Sequence, residues 1–145
     1  MYSAGRGDQQ SFMPGRRGLL GLHANAGISF DLEAISRAHP GASVKGFRAV
    51  AGMLDAALEA PWANARADVW IFIDGRLVWQ RRGLRPSDGG RAVNVPLQPQ
   101  DRFLTLVSAD GGDGIGRDWV VFGDPVLEAT SSAFNDAKGG AIEKP

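Results

Sequence analysis

The stretch Asp110-Gly-Gly-Asp-Gly-Ile-Gly-Arg-Asp-Trp119 gathers most of the chemistry in this chain. It holds three carboxylates, an arginine, a tryptophan and four of the 20 glycines. Carboxylates on a turning backbone can do three kinds of work. They can hold a calcium ion, which takes about six to eight oxygens, backbone carbonyls included. They can accept hydrogen bonds from sugar hydroxyls while an aromatic ring stacks on the sugar face. They can also act as a pair in glycoside hydrolysis, but that requires carboxyl groups facing each other across a cleft. Asp110, Asp113 and Asp118 lie on one short loop, which argues against hydrolysis. The loop is neither an EF-hand nor a full Gly-Gly-x-Gly-x-Asp repeat, because Gly116 stands where that repeat needs Asp. As sugar contacts, Trp119 would stack while Arg117 and Asp118 bond hydroxyls. The same residues also suit plainer roles, Trp119 as the start of a core strand and Asp118 as a turn cap.

Other reactive residues are few. His23 and His39 are the only histidines, cysteine is absent, and no nucleophile motif frames any serine. No catalytic set results, so the expectation is a protein that is not an enzyme. His23 closes an apolar run, a position that equally suits a core histidine bonded to a carbonyl or an Asp.

A polar, glycine-rich loop needs rigid strands to hold it. Phe103–Ser108 before it and Trp119–Leu127 after it are apolar and β-rich. Further strands are expected at residues 18–24, 28–32, 44–54 and 92–97, with one or two helical turns between Asp31 and Pro40-Gly41. Residues 55–66 read as a loop broken by Pro61. Residues 67–82 give the clearest local signal: Asp74-Gly75 between two apolar runs predicts a type I′ hairpin. An unbroken register would set Phe72 opposite Leu77, Ile71 opposite Val78 and Trp70 opposite Trp79. Seven or eight short strands with little helix predict an all-β sandwich of two antiparallel sheets.

Three pieces in order resemble one family. They are Gly21-Leu-His-Ala24, Val69-x-Ile-x-Ile-Asp-Gly75, and the glycine loop through Asp118-Trp119 to Asp124-Pro-x-Leu127. Together they resemble the NPCBM domain, a carbohydrate-binding module whose relatives accompany glycoside hydrolases. The resemblance runs from about Gly18 to Glu128. It implies a galactose-binding-like jelly roll, with sugar held by loops at one end and a structural calcium in some members. It also implies a non-catalytic module that binds galactose-type or related glycans for an attached enzyme. On that pattern His23 and Asn25 join Arg117, Asp118 and Trp119 as candidate carbohydrate contacts. Asp110, Asp113 and Asp118 are the candidate calcium ligands, and they are expected beside the Gly21–Asn25 segment. Family members carry a longer segment, with a first strand, before the Gly-Leu-x-His-Ala motif. Here that segment is short and Gly/Arg-rich, so an open sheet edge is expected.

Composition bounds the alternatives. The chain has 145 residues and balances 16 basic against 16 acidic side chains. One domain is expected at residues 18–129, between a flexible N-terminal segment (1–17) and a flexible tail (130–145). Zero net charge argues against nucleic-acid or membrane-surface partners. No apolar run is long enough to insert in a membrane, and residues 1–18 lack the apolar centre of a secretory signal. An extracellular or periplasmic location would follow from a longer, exported, multidomain parent. Two readings compete with sugar binding. One is an interaction domain on the same scaffold, supported by an apolar second face on the 67–82 hairpin; a homo-oligomer contact through Trp70 and Trp79 is expected there. The other is a glycoside hydrolase, on the carboxylate argument above.

Overall fold

The structure is a computed structural model that describes residues 18–54, 64–116 and 118–131. The expected flexible segment 1–17, loop residues 55–63, most of the expected tail and Arg117 lie outside the described residues. The described residues form eight strands: β1 (Leu19–Leu22), β2 (Ala26–Asp31), β3 (Ala42–Met53), β4 (Ala67–Ile73), β5 (Arg76–Leu84), β6 (Arg91–Pro96), β7 (Phe103–Asp110) and β8 (Val120–Ser131). They form two antiparallel four-stranded sheets, ordered β1-β8-β3-β6 and β2-β7-β4-β5. The all-β sandwich expected from the sequence is the observed fold. The last strand runs on to Ser131, which pairs with Ala42, so residues 130 and 131 belong to the sheet rather than to a tail.

Alternation builds the core. In β4, Ala67, Val69, Ile71 and Ile73 point inward and are buried, while Asp68, Trp70 and Phe72 point outward. β3 sends Phe47, Ala49, Ala51 and Met53 inward against them. Leu104 and Leu106 of β7 and Phe122 of β8 complete the layer. Each buried Leu, Ile or Phe stabilises by about 1.5–3 kcal/mol relative to exposure, which makes this layer the main source of cohesion. Helix α1 (Leu32–Ala38) closes one end: Asp31 caps it by accepting from the Ala34 N–H at 3.0 Å, and Leu32 is its buried residue. Pro96 ends β6, an edge strand, where its missing N–H leaves no ladder bond unmade.

The hairpin departs from the expected register. Asp74 and Gly75 take φ of 50° and 79°, the type I′ conformation. Ile73 pairs with Arg76 and Phe72 with Leu77, as expected, but then the ladder slips: Ile71 pairs with Trp79 and Trp70 with Gln80. Val78 is the extra residue of a β-bulge. The slip turns Trp79 inward, where it packs on the core together with Val78. Trp70 stays on the outer face. The expected Trp70–Trp79 pair does not form, and a contact through both tryptophans on one face is ruled out by the register.

Except for the β4–β5 hairpin, every connection crosses between the two sheets. Strands with odd numbers all run toward one end and even-numbered strands all run back. The loops after β1, β3, β5 and β7 therefore share that end. This topology brings residues 23–25 to residues 111–119.

Candidate functional site

The β1–β2 turn and the β7–β8 loop are joined by hydrogen bonds as well as by topology. Asn25 sits at φ 59°, a left-handed conformation that Asn tolerates better than most residues. Its Oδ1 accepts from the Asp110 N–H at 3.3 Å. Asp110 Oδ1 in turn accepts from the Gly112 N–H at 3.2 Å, an Asx turn that starts the loop. The Gly111 N–H donates to the Arg66 carbonyl at 3.0 Å. A Cβ at Gly111 would lie 2.5 Å from Arg66 Cβ and 2.9 Å from its backbone, so only glycine permits this approach. Gly112 and Gly114 take φ of 89° and 97°, so the turning of the loop also depends on glycine.

Two aromatic rings flank the surface beside this loop. Leu22 pairs with Val120, which places His23 next to Trp119. Their ring centroids are 6.3 Å apart at an interplanar angle of 63°, an edge-to-face contact. Trp119 is half-buried and packs with Leu54, Val121, Val50 and Leu19 on the outer side of the first sheet, apart from the main core. Gly21, Leu22, His23, Leu54, Trp119, Val120 and Val121 line an open cavity of about 320 Å³. A Cβ at Gly21 would meet nothing within 4 Å, so this glycine leaves open space beside the rings.

Asp118 lies beneath this surface. It is 0 % exposed, and neither carboxylate oxygen has a hydrogen-bond partner among the described residues. Burial raises its carboxyl from the usual 3.8 to about 6; the Asp113 and Asp110 charges add to the rise and His23 opposes it. An unpaired buried carboxylate is costly, so this group favours a proton or a cation. Calcium fits that demand only in part. The described residues contain no group of three His, Asp or Glu side chains placed to hold a metal.

The structure thus brings His23, Asn25, Asp110, Asp113, Asp118 and Trp119 to one end. Asn25 spends its oxygen on the Asp110 backbone, and Asp118 is covered rather than presented to solvent. Sequence reasoning missed Leu54, Val121 and Arg66. Leu54 and Val121 looked like ordinary strand residues. Arg66 contributes a backbone carbonyl, for which no side-chain signal exists.

The fold agrees with what known proteins show. The chain belongs to the NPCBM/NEW2 domain family, which matches residues 16–128. Among solved structures, the CBM51 module of the Clostridium perfringens GH95 enzyme, solved with methyl-galactose, superposes with a TM-score of 0.70. The two are 23% identical, and the match covers 88% of this chain and 79% of that one. A C. perfringens ZmpB structure, comprising the M60 catalytic domain with two CBM51 domains, matches at 29% identity and a TM-score of 0.65. That match covers 79% of this chain but 11% of the other. The tandem CBM51 modules of the family 98 glycoside hydrolase from Streptococcus pneumoniae SP3-BS71 match at 20% identity and a TM-score of 0.60, over 77% of this chain and 32% of theirs. Several relatives are therefore modules within larger proteins. No curated protein matches this chain.

Proposed function

We propose that this chain is a non-catalytic carbohydrate-binding module that takes a galactose-type or related sugar at the loop end of the sandwich. One observation carries the reading: His23 and Trp119 stand edge to face at an open 320 Å³ cavity beside the acidic loop. The Trp119 ring offers a stacking surface, and His23 offers a ring nitrogen for a hydroxyl. A cavity of that size suits one sugar ring, at the small end of ligand pockets. Family membership supports the class, and the methyl-galactose held by the similar module supports the sugar type. The described carboxylates of this end sit on one loop, with Asp118 covered, an arrangement unlike the opposed pair of a glycosidase.

A calcium ion at this end would take Asp118 and complete its shell with backbone carbonyls and water. Its role would be to fix the loop. As in the similar ZmpB and family 98 proteins, the module would serve a larger parent, and an exported parent would place it outside the cytoplasm.

A glycan array on the whole chain, followed by calorimetry with methyl-galactose, tests the reading. Binding that Trp119→Ala and His23→Ala each weaken at least tenfold, with the fold intact, is expected. An array without any bound glycan, or binding indifferent to both substitutions, would overturn it.

A further inference from the structure

We propose that the outer face of the β2-β7-β4-β5 sheet is the surface through which two copies of this chain associate. The bulge that turns Trp79 inward leaves a different apolar group outside. Trp70 pairs with Val107 on one side and Gln80 on the other. One row along, Phe72 pairs with Leu77 and Thr105. Directly paired side chains on one face lie about 5 Å apart, so these residues touch or nearly touch. Phe103 is diagonal to Phe72, next along β7. Trp70, Phe72, Val107 and Leu77 thus make one apolar centre, with Phe103 at its rim, where the Arg102 guanidinium lies 5.1 Å from its ring centroid.

Exposure marks this face. Leu77 is 45% and Phe103 39% exposed, two of only three exposed large apolar residues among those described. Several polar groups at the margin are already bonded. Ser29 Oγ and Thr105 Oγ1 bond each other at 2.7 Å. Asp68 accepts from the Gly83 N–H at 2.7 Å and pairs with Arg82 at 3.5 Å. Asp74 accepts from the Phe103 N–H at 2.8 Å. Covering these bonded oxygens leaves them paired, so their burial costs little. The exposed Gln80 beside Trp70 and the Arg82 guanidinium must stay at the wet rim or bond across the contact. An apolar centre inside a polar rim is the anatomy of an interface.

Charge and area select the partner. The chain's formal charge is zero, so two copies do not repel each other. The face lacks the block of one sign that a charged polymer would need. Four strands about 4.8 Å apart, over six or seven residues at about 3.3 Å each, give a face of roughly 400 Å² in projection. An area of that size falls in the class of weak, reversible interfaces, which bury under about 600 Å² per partner. An isologous contact uses the same patch twice, so a single apolar face suffices. Strand-to-strand pairing is disfavoured at the β5 and β6 edges. The β5 edge carries Arg76, Arg81, Arg82 and a bulge, and β6 ends in Pro96; charge, bulges and proline all protect edges. The proposal does not depend on sugar binding.

Sedimentation velocity on the intact chain over a concentration series tests it. The mass should rise from 15.4 kDa toward twice that value as concentration reaches tens of micromolar. Leu77→Lys and Phe72→Thr should each raise the dimer dissociation constant at least about 30-fold, the effect of losing a central anchor. Ile115→Ser, at the third exposed apolar residue, should leave it unchanged. The chain has no cysteine, so Leu77→Cys should cross-link only between copies. If Phe72→Thr does not fold, Leu77→Lys and the cross-link carry the test, since Leu77 is already exposed. A wild type that stays monomeric at several hundred micromolar overturns the proposal. So does a folded Leu77→Lys variant that dimerises like the wild type, or a Leu77→Cys variant that fails to cross-link.

Discussion

Replacing Asp118 by Asn should make the protein relatively more stable above pH 6 than below pH 4.5 when calcium is withheld. Asp118 is fully covered, and its carboxyl is raised from 3.8 to about 6, chiefly by burial. In the unfolded chain the same carboxyl titrates near its ordinary value. Between those two values the folded protein holds the extra proton, so stability falls as pH rises. The contribution is fully present below about pH 4 and is lost as pH passes through about 6. A shift of two units at about 1.36 kcal/mol each comes to roughly 3 kcal/mol. Asn has the same shape and never ionises, so it escapes this loss, although its amide also lacks a partner. Comparing the variant with wild type at two pH values cancels the amide cost. About a third of the Asp118 contribution is already lost at pH 4.5, which lies above the unfolded value, so about 2 kcal/mol separates pH 4.5 from pH 8. At roughly 2–4 °C per kcal/mol for a domain near this size, the melting difference should move by about 4–8 °C in favour of Asn. The measurement is thermal unfolding in EDTA at both pH values. Parallel pH profiles for the two proteins would refute the reasoning. Calcium should reverse the order if Asp118 is a ligand: millimolar calcium then raises the wild-type midpoint by mass action and leaves that of the Asp118→Asn variant where it was.

Gly111→Ala should detach the β7–β8 loop from Arg66, because a Cβ would lie 2.5 Å from that side chain. A cost of about 1–3 kcal/mol is expected by urea denaturation, with weaker glycan binding. Ser108→Ala should be neutral or stabilising by up to about 1 kcal/mol, since the buried Ser108 hydroxyl has no partner among the described residues; a large loss would show that it has one. Asp74→Asn tests the hairpin. The N–H groups of Phe103 and Arg102 hold the Asp74 carboxyl below its ordinary 3.8. The stability it adds is therefore present above that value and fades as pH falls below it. The variant should be less stable than wild type at pH 7, and the gap should close on acidification.

The strands were legible because their signals are local. The inward set of β3 and β4 follows from alternation alone, and Asp74-Gly75 needs only its own conformational preference to make the turn. The meeting of His23 with Trp119 was legible as well, but through the resemblance, since the two are far apart in the chain. The slip at Val78 was not. Nothing in Leu77-Val-Trp-Gln80 says which residue will be skipped. Both registers bury an apolar residue opposite Ile71, either Val78 or Trp79, and the larger ring wins by removing more apolar surface from water. The covering of Asp118 was equally hidden, because a loop carboxylate is ordinarily solvated and only the assembled end of the sandwich shows what lies over it.

The bulge does more than correct a register; it separates the two surfaces of the molecule. With Trp79 outside, β5 and β4 would have stacked two tryptophans on one face, and the core would have held Val78 in place of the ring. With Trp79 inside, the core gains an aromatic, and the outer face keeps a flatter group built on Trp70, Phe72 and Leu77. That face lies along the flank of the second sheet. The His23–Trp119 cavity lies on the outer side of the first sheet, at the loop end. A copy docked on the one would leave the other open. Two modules joined through their second sheets would carry two glycan cavities on the remaining surfaces, the arrangement in which weak single-site binding gains from being held twice. Glycan binding by a dimer-deficient Leu77→Lys chain separates the two ideas. Its affinity for a soluble monosaccharide should equal that of wild type, while its retention on a surface densely coated with the same sugar should drop.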